Sequence, residues 1–149
     1  MTKPEPKTFS LTIRGKPVAK ARPRFVNTVR GVRTYDSQKD KVDVIKLQIL
    51  QQIALFRLER PVAGPIGVEM TFYTRTPQSL TVANRTALEG KPNFKRPDLD
   101  NYVKMYMDAM NQWMYQDDGQ IAELKASKRY SDNPRTEIII QELVEEIDD

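Results

Sequence analysis

The chain has 149 residues, with 24 Lys and Arg, 20 Asp and Glu, and neither Cys nor His. Without Cys there is no disulfide framework, thiolate nucleophile or Cys zinc site, and without His there is no Ser-His-Asp triad, imidazole base or His-ligated metal. Acid–base or metal chemistry must therefore run on carboxylates, Lys, Tyr, water and hard cations such as Mg²⁺.

Residues 1–7 carry Pro4 and Pro6 and read as a frayed tail. Thr8 to Arg14 alternates Phe9, Leu11 and Ile13 with polar neighbours, the period of a half-buried strand. Gly15 to Arg24 is basic and interrupted by Pro17 and Pro23, so it reads as an extended loop. Phe25 to Tyr35 suits a short hairpin turning at Arg30-Gly31. Ser37 is the expected N-cap of a helix over about 38–58, whose apolar stripe is Val42, Ile45, Ile49, Ile53 and Phe56. Pro61, Gly64 and Pro65 end it, and Ile66 to Thr74 is a second alternating strand.

Residues 75–95 form a long polar, basic stretch without strong periodicity, expected as a loop that is either a substrate-binding flap or a disordered excursion. A helix is expected over about 99–114, then strands over 120–130 and 136–143 joined by a turn at 131–134. The acidic end, 144–149, reads as a solvated tail. Nothing suggests a repeat or a linker, so one domain, 1–149, is expected. No apolar run nears the about 20 residues of a membrane span. Met1 to Lys7 lacks the apolar stretch of a secretory signal, so a cytoplasmic protein is expected.

Charge is unevenly placed. Residues 1–95 balance to +11 and residues 96–149 to −7. The basic part suggests a polyanion partner. In the acidic part, Asp98, Asp100, Asp108, Asp117 and Asp118 crowd into twenty-one residues. One reading is structural: Asp98 caps the helix, and Asp100, Lys104 and Asp108, four apart, form a salt-bridged solvent stripe. The other is catalytic. A short turn after the helix can return Asp117-Asp118 to that stripe, and a divalent cation would relieve the repulsion. Phosphodiester hydrolysis wants this set: carboxylate oxygens for Mg²⁺, a polarised phosphate, an activated water, and a Lys for the developing charge. A basic chain with an acidic metal pocket is coherent as a nuclease.

Arg96-Pro97-Asp98-Leu99-Asp100-Asn101, Lys104, Asp108-Ala109, Asp117-Asp118 and Gln120-Ile121 together resemble the RusA family of Holliday-junction resolvases. Gly15 to Phe25 is similar to the opening loop of a phage and prophage branch of that family. The resemblance implies an α+β fold, a small mixed sheet packed here by the helices at about 38–58 and 99–114. It implies that Asp98, Asp100 and Asp118 bind metal and that Lys104 is the catalytic lysine, with Asp117 and Asp108 as possible further ligands. It also implies a homodimer that resolves four-way DNA junctions by paired symmetric nicks with Mg²⁺ or Mn²⁺, in recombination and repair, within a bacterial or phage-infected cell.

Lys20, Arg22, Arg24, Lys95, Arg96, Lys125, Lys128 and Arg129 are the candidate DNA contacts, and only Lys125 and Arg129 of the last three share a strand face. Trp113, Tyr106 and the helix methionines are expected in the core or a dimer interface. The helices at 38–58 and 99–114 are the candidate dimer surfaces. No small-molecule cofactor or membrane is expected. The alternatives are a nuclease for flaps, forks or other branched nucleic acid, and a non-catalytic junction-binding module.

Overall fold

A computed structural model describes residues 5–21, 24–29, 31–35 and 38–143. Among these described residues, six strands and three α-helices follow in chain order: β1 (Thr8–Arg14), β2 (Arg24–Thr28), β3 (Gly31–Tyr35), α1 (Lys39–Phe56), β4 (Ile66–Arg75), α2 (Val82–Leu88), α3 (Leu99–Met110), β5 (Ile121–Ser131) and β6 (Arg135–Glu142). The main sheet has the order β1-β6-β4-β5. Its β4–β5 pair is parallel and its other pairs are antiparallel. β2 and β3 form a separate antiparallel ribbon. The expected α+β architecture with a mixed sheet is therefore present.

The alternation in each strand sends one row of side chains inward. Phe9, Leu11 and Ile13 of β1, Val68, Met70 and Phe72 of β4, and Ile138 and Ile140 of β6 make the core face of the sheet. Ile45 and Ile49 of α1 and Tyr102, Met105, Tyr106 and Met110 of α3 close over it. Phe72 stacks on Tyr102 with ring centres 5.2 Å apart. Each buried aromatic or aliphatic group of this kind contributes about 1.5–3 kcal/mol by leaving water.

Both sheet edges are covered over part of their length. On the β1 edge, Gln48 and Gln52 of α1 act as a substitute strand. The Thr12 N–H donates to Gln52 Oε1 (2.9 Å) and the Gln52 amide donates to the Thr12 carbonyl (2.8 Å). Gln48 does the same for Arg14. At the β5 edge, residues 90–93 bond to Tyr130 and Lys128. Covered edges cannot template strand pairing with another chain.

Two expectations need correction. The 75–95 stretch contains α2, whose N-cap is Thr81, and its far end is bonded to β5, so it is not a structureless excursion. α3 stops at Met110 rather than running to 114, because Asn111 leaves helical geometry and Gln112 has φ 71°. Met114 is still buried, in the turn that follows. Trp113 on that turn is 50% exposed, which of the two places expected for it excludes only the core. Ser37 lies outside the described residues, and Gln38 occupies the position before α1. No helix among the described residues is long and apolar enough to cross a membrane.

Candidate active site

α3 presents two faces. Tyr102, Val103, Tyr106 and Met110 pack inward, and Asp100, Lys104 and Asp108 remain exposed. The polar stripe exists, but it is not one salt-bridged ladder. Lys104 Nζ lies 4.0 Å from Asp100, at the limit of an ion pair. Asp108 pairs instead with Lys20 from the opening loop.

That loop is a strap laid across the helices. Val18 N–H donates to the Tyr106 hydroxyl (3.1 Å), and Lys20 N–H donates to the Asn101 carbonyl (2.9 Å). The Gln38 side chain clamps the next turn, accepting from Ala21 N–H (2.9 Å) and donating to the Ala19 carbonyl (2.7 Å). Lys20, expected to grip phosphate, is thus a tether between strap and α3. Arg22 lies outside the described residues, and only the backbone of Arg24 is described.

Asp98 occupies the N-cap position of α3, yet its side chain accepts no capping hydrogen bond. The structural reading of Asp98 as a cap therefore fails. The macrodipole still favours its charge and that of Asp100 in the first turn.

Asp117 and Asp118 follow the turn that ends α3. Asp117 is committed locally: its Oδ2 accepts from Gly119 N–H (2.9 Å) and caps a short 3₁₀ turn over Asp118–Gln120. A Cβ on Gly119 would sit 2.6 Å from that oxygen, which is why glycine fits there. Gln120 closes the turn. Its Oε1 accepts from Gln116 and Asp117 N–H (2.7 and 2.9 Å), and its amide donates to the Val62 and Gly64 carbonyls (2.8 and 2.9 Å). Four bonds from one side chain fix where Asp118 stands. Asp118 Oδ1 is buried and has no hydrogen-bond partner.

Tyr115 is a residue that pattern reading missed. It is buried, and its hydroxyl donates to the Met107 carbonyl (3.0 Å). Burial first, then the charge of neighbouring Asp118 and a hydrogen bond with its side chain, and more weakly the charges of Asp108 and Asp117, push its ionisation above the ordinary tyrosine range. Asp118 thus lies near the hydroxyl that Tyr115 bonds to the α3 backbone at Met107. The signal in the sequence was slight: a tyrosine two residues before an Asp pair.

Among the described residues, no group of three or more acidic side chains is close enough to hold a metal ion. The donor chemistry nevertheless suits a hard cation, with Asp98 free of a cap and a buried Asp118 oxygen left without a donor.

The candidate cations divide by strand register. Paired residues on neighbouring strands share a face. Lys128 pairs with inward-facing Phe72, so it lies on the α3 side of the sheet. Lys125 pairs with Glu69, and Arg129 with Tyr73, on the opposite face. Lys125 Nζ is 4.0 Å from Glu69, and Arg129 donates to the Gly90 carbonyl (2.9 Å). Neither joins the acidic site. Lys95 and Arg96 are exposed directly before it. Sequence reading also passed over Arg14 and Lys41. With Lys16 they line an open groove of about 630 Å³ between the strap and α1 that reaches Pro97, next to Asp98.

Two comparisons bear on this geometry. The family model described as Endodeoxyribonuclease RusA matches residues 14–141. The uncharacterized protein YqaN of Bacillus subtilis (strain 168) is 32% identical over 139 residues, covering 91% of this chain and 96% of YqaN.

Proposed function

Because the chain belongs to the RusA endodeoxyribonuclease family, we propose that it resolves four-way DNA junctions by divalent-metal-dependent, paired symmetric nicks. The observation that carries this reading is the uncommitted polar end of α3. Asp98 makes no cap, Asp100 has only a weak partner in Lys104, and the turn that follows α3 and carries Asp118 is braced by Gln120. The fold spends four hydrogen bonds of Gln120 on placing a carboxylate with a buried, unpartnered oxygen. Such an atom costs stability unless something else uses it.

Asp98, Asp100 and Asp118 would hold Mg²⁺ or Mn²⁺, which would polarise the scissile phosphate and make water nucleophilic near neutral pH. Mg²⁺ is commonly held by one or two carboxylates together with substrate phosphate oxygens, so a preformed three-carboxylate cage is not required. Lys104, on the same exposed face, stabilises the charge that develops at the leaving oxygen or protonates it. Arg14, Lys16 and Lys41 along the groove neutralise backbone phosphates, with Lys95 and Arg96 at its acidic end. With no His in the chain, no imidazole is needed at any step.

Paired nicks need two copies of the site. On α3 the methionines Met105 and Met110 are buried and so are taken up by the chain's own core. α1 is the better candidate: Leu47 is 57% exposed and Leu55 is 80% exposed. We therefore place the dimer contact on α1, and Leu47→Glu should convert a dimer to a monomer by light scattering. The setting proposed is the cytoplasm of a bacterial or phage-infected cell, in recombination and repair.

The test uses an end-labelled four-way junction, a fork, a flap and a linear duplex, each with Mg²⁺ or with EDTA. Symmetric, ligatable nicks on the junction alone, and only with metal, are expected. Preferred cutting of fork or flap would retain the nuclease and discard the resolvase. Tight junction binding without nicks would leave a binding module.

A further inference from the structure

Lys128 is the one β5 cation on the α3 side of the sheet among the three considered, and it is only half exposed. Its ammonium donates to the Lys95 carbonyl and to the Pro97 carbonyl, the latter at 2.7 Å. An ammonium carries three donors and no acceptor, and charge-assisted bonds to carbonyls are stronger than neutral ones. Two of its donors are thus occupied by the backbone that leads directly into Asp98.

A second clip holds the same segment. Asn93 N–H donates to the Lys128 carbonyl (2.9 Å), and the Asn93 side chain donates to Thr74 Oγ1 (2.8 Å) while accepting from Lys95 N–H (2.8 Å). Thr74 in turn donates to the Arg129 carbonyl (3.0 Å). β4 and β5 together therefore grip residues 93–97. Beyond the grip, Asp98 has no side-chain cap of its own, so its carboxylate stands where this backbone puts it.

We infer that Lys128 is a positioning residue for Asp98 and not a phosphate contact. The inference rests on the nuclease reading above. A lysine that grips DNA must offer its ammonium to solvent phosphate; this one is turned to the protein's own carbonyls. Removing the ammonium frees Pro97 and lets Asp98 drift from Asp100, which lowers the rate at saturating DNA. Losing a phosphate contact would instead weaken DNA binding and flatten its salt dependence.

The experiment compares Lys128→Met, Lys128→Arg and Asn93→Ala with the unmutated full chain on a four-way junction. It reads kcat, KM, the Mg²⁺ concentration for half-maximal rate, and hydrogen exchange across residues 93–101. For Lys128→Met, kcat falls about 10–100-fold, as for supporting groups around metal ligands, with more Mg²⁺ needed and little change in KM. Exchange across 93–101 quickens. Lys128→Arg, which keeps donors for the carbonyls, recovers most of the rate, and Asn93→Ala reproduces the defect more mildly. A loss confined to KM with a flatter salt dependence overturns the inference, as does unchanged exchange. An unmutated chain that cuts no branched DNA overturns the nuclease reading and this inference with it. An unmutated chain that cuts, beside a Lys128→Met chain with the same kcat, overturns this inference alone.

Discussion

The acidic segment and the basic residues around it are used in opposite ways. Of five aspartates between 98 and 118, the fold consumes two: Asp108 in the ion pair with Lys20 and Asp117 in the cap of the 3₁₀ turn. Asp98 and Asp100 are left nearly free, and Asp118, set against Tyr115, keeps one buried oxygen without a partner. Among the described candidate cations the balance reverses. Lys20, Lys125, Lys128 and Arg129 all have partners within the chain, Lys95 and Arg96 are exposed, and Arg14, Lys16 and Lys41, outside that set, line an open groove. Free energy favours pairing a charge where a partner is in reach. Groups the fold leaves unpaired are therefore the ones to assign to substrate and metal.

Two changes sharpen that comparison most. Lys104 sits among the free carboxylates with only a 4.0 Å approach to Asp100, so Lys104→Met should cost little stability. Its single-turnover cleavage rate should fall about 10²–10³-fold, the usual cost of losing one transition-state donor. Gln120→Ala strips partners from two carbonyls and two N–H groups, and should cost about 1–3 kcal/mol in urea unfolding. Its cleavage should also weaken, because the Asp118 turn loosens.

Smaller effects follow for the cations. Lys16→Ala and Lys41→Ala should each lower the salt slope of junction binding by about one unit. Lys125→Ala, on the far face beside Glu69, should leave that slope unchanged. The smallest effect is on alkaline stability. Burial raises the ionisation of Tyr102, Tyr106 and Tyr115 in the folded chain. The unfolded chain therefore loses these protons first, near the ordinary value of about 10. Stability is full below that pH and falls as pH climbs above it, which urea unfolding across the alkaline range would register.

Much of this architecture is legible in the sequence. β1, β4 and β6 announce themselves by alternation, and α1 by its Ile45-Ile49-Ile53 spacing. α2 does not, because it buries no residue and so has no apolar stripe to read. α3 was read too long because Met114 continues its apolar period, although the chain turns at Gln112 before reaching it. The carboxylates and Lys104 are visible as a motif. Their division into tied and free is not, because it depends on contacts across long separations. The Lys20–Asp108 pair spans 88 residues, and the bond from Lys128 to Pro97 follows from a β5 register that local spacing does not encode.

The most direct test of that division is cleavage of a four-way junction at saturating Mg²⁺ by five variants, each changing one aspartate to Asn at 98, 100, 108, 117 or 118. Asp98→Asn, Asp100→Asn and Asp118→Asn should lose about 10²-fold or more while melting like the unmutated chain. Asp117→Asn keeps an oxygen for the cap, and Asp108→Asn gives up only a half-exposed ion pair worth about 0.2–1 kcal/mol. Both should keep most of the rate. Full activity in any of the first three, or an equal loss in the last two, would contradict the account.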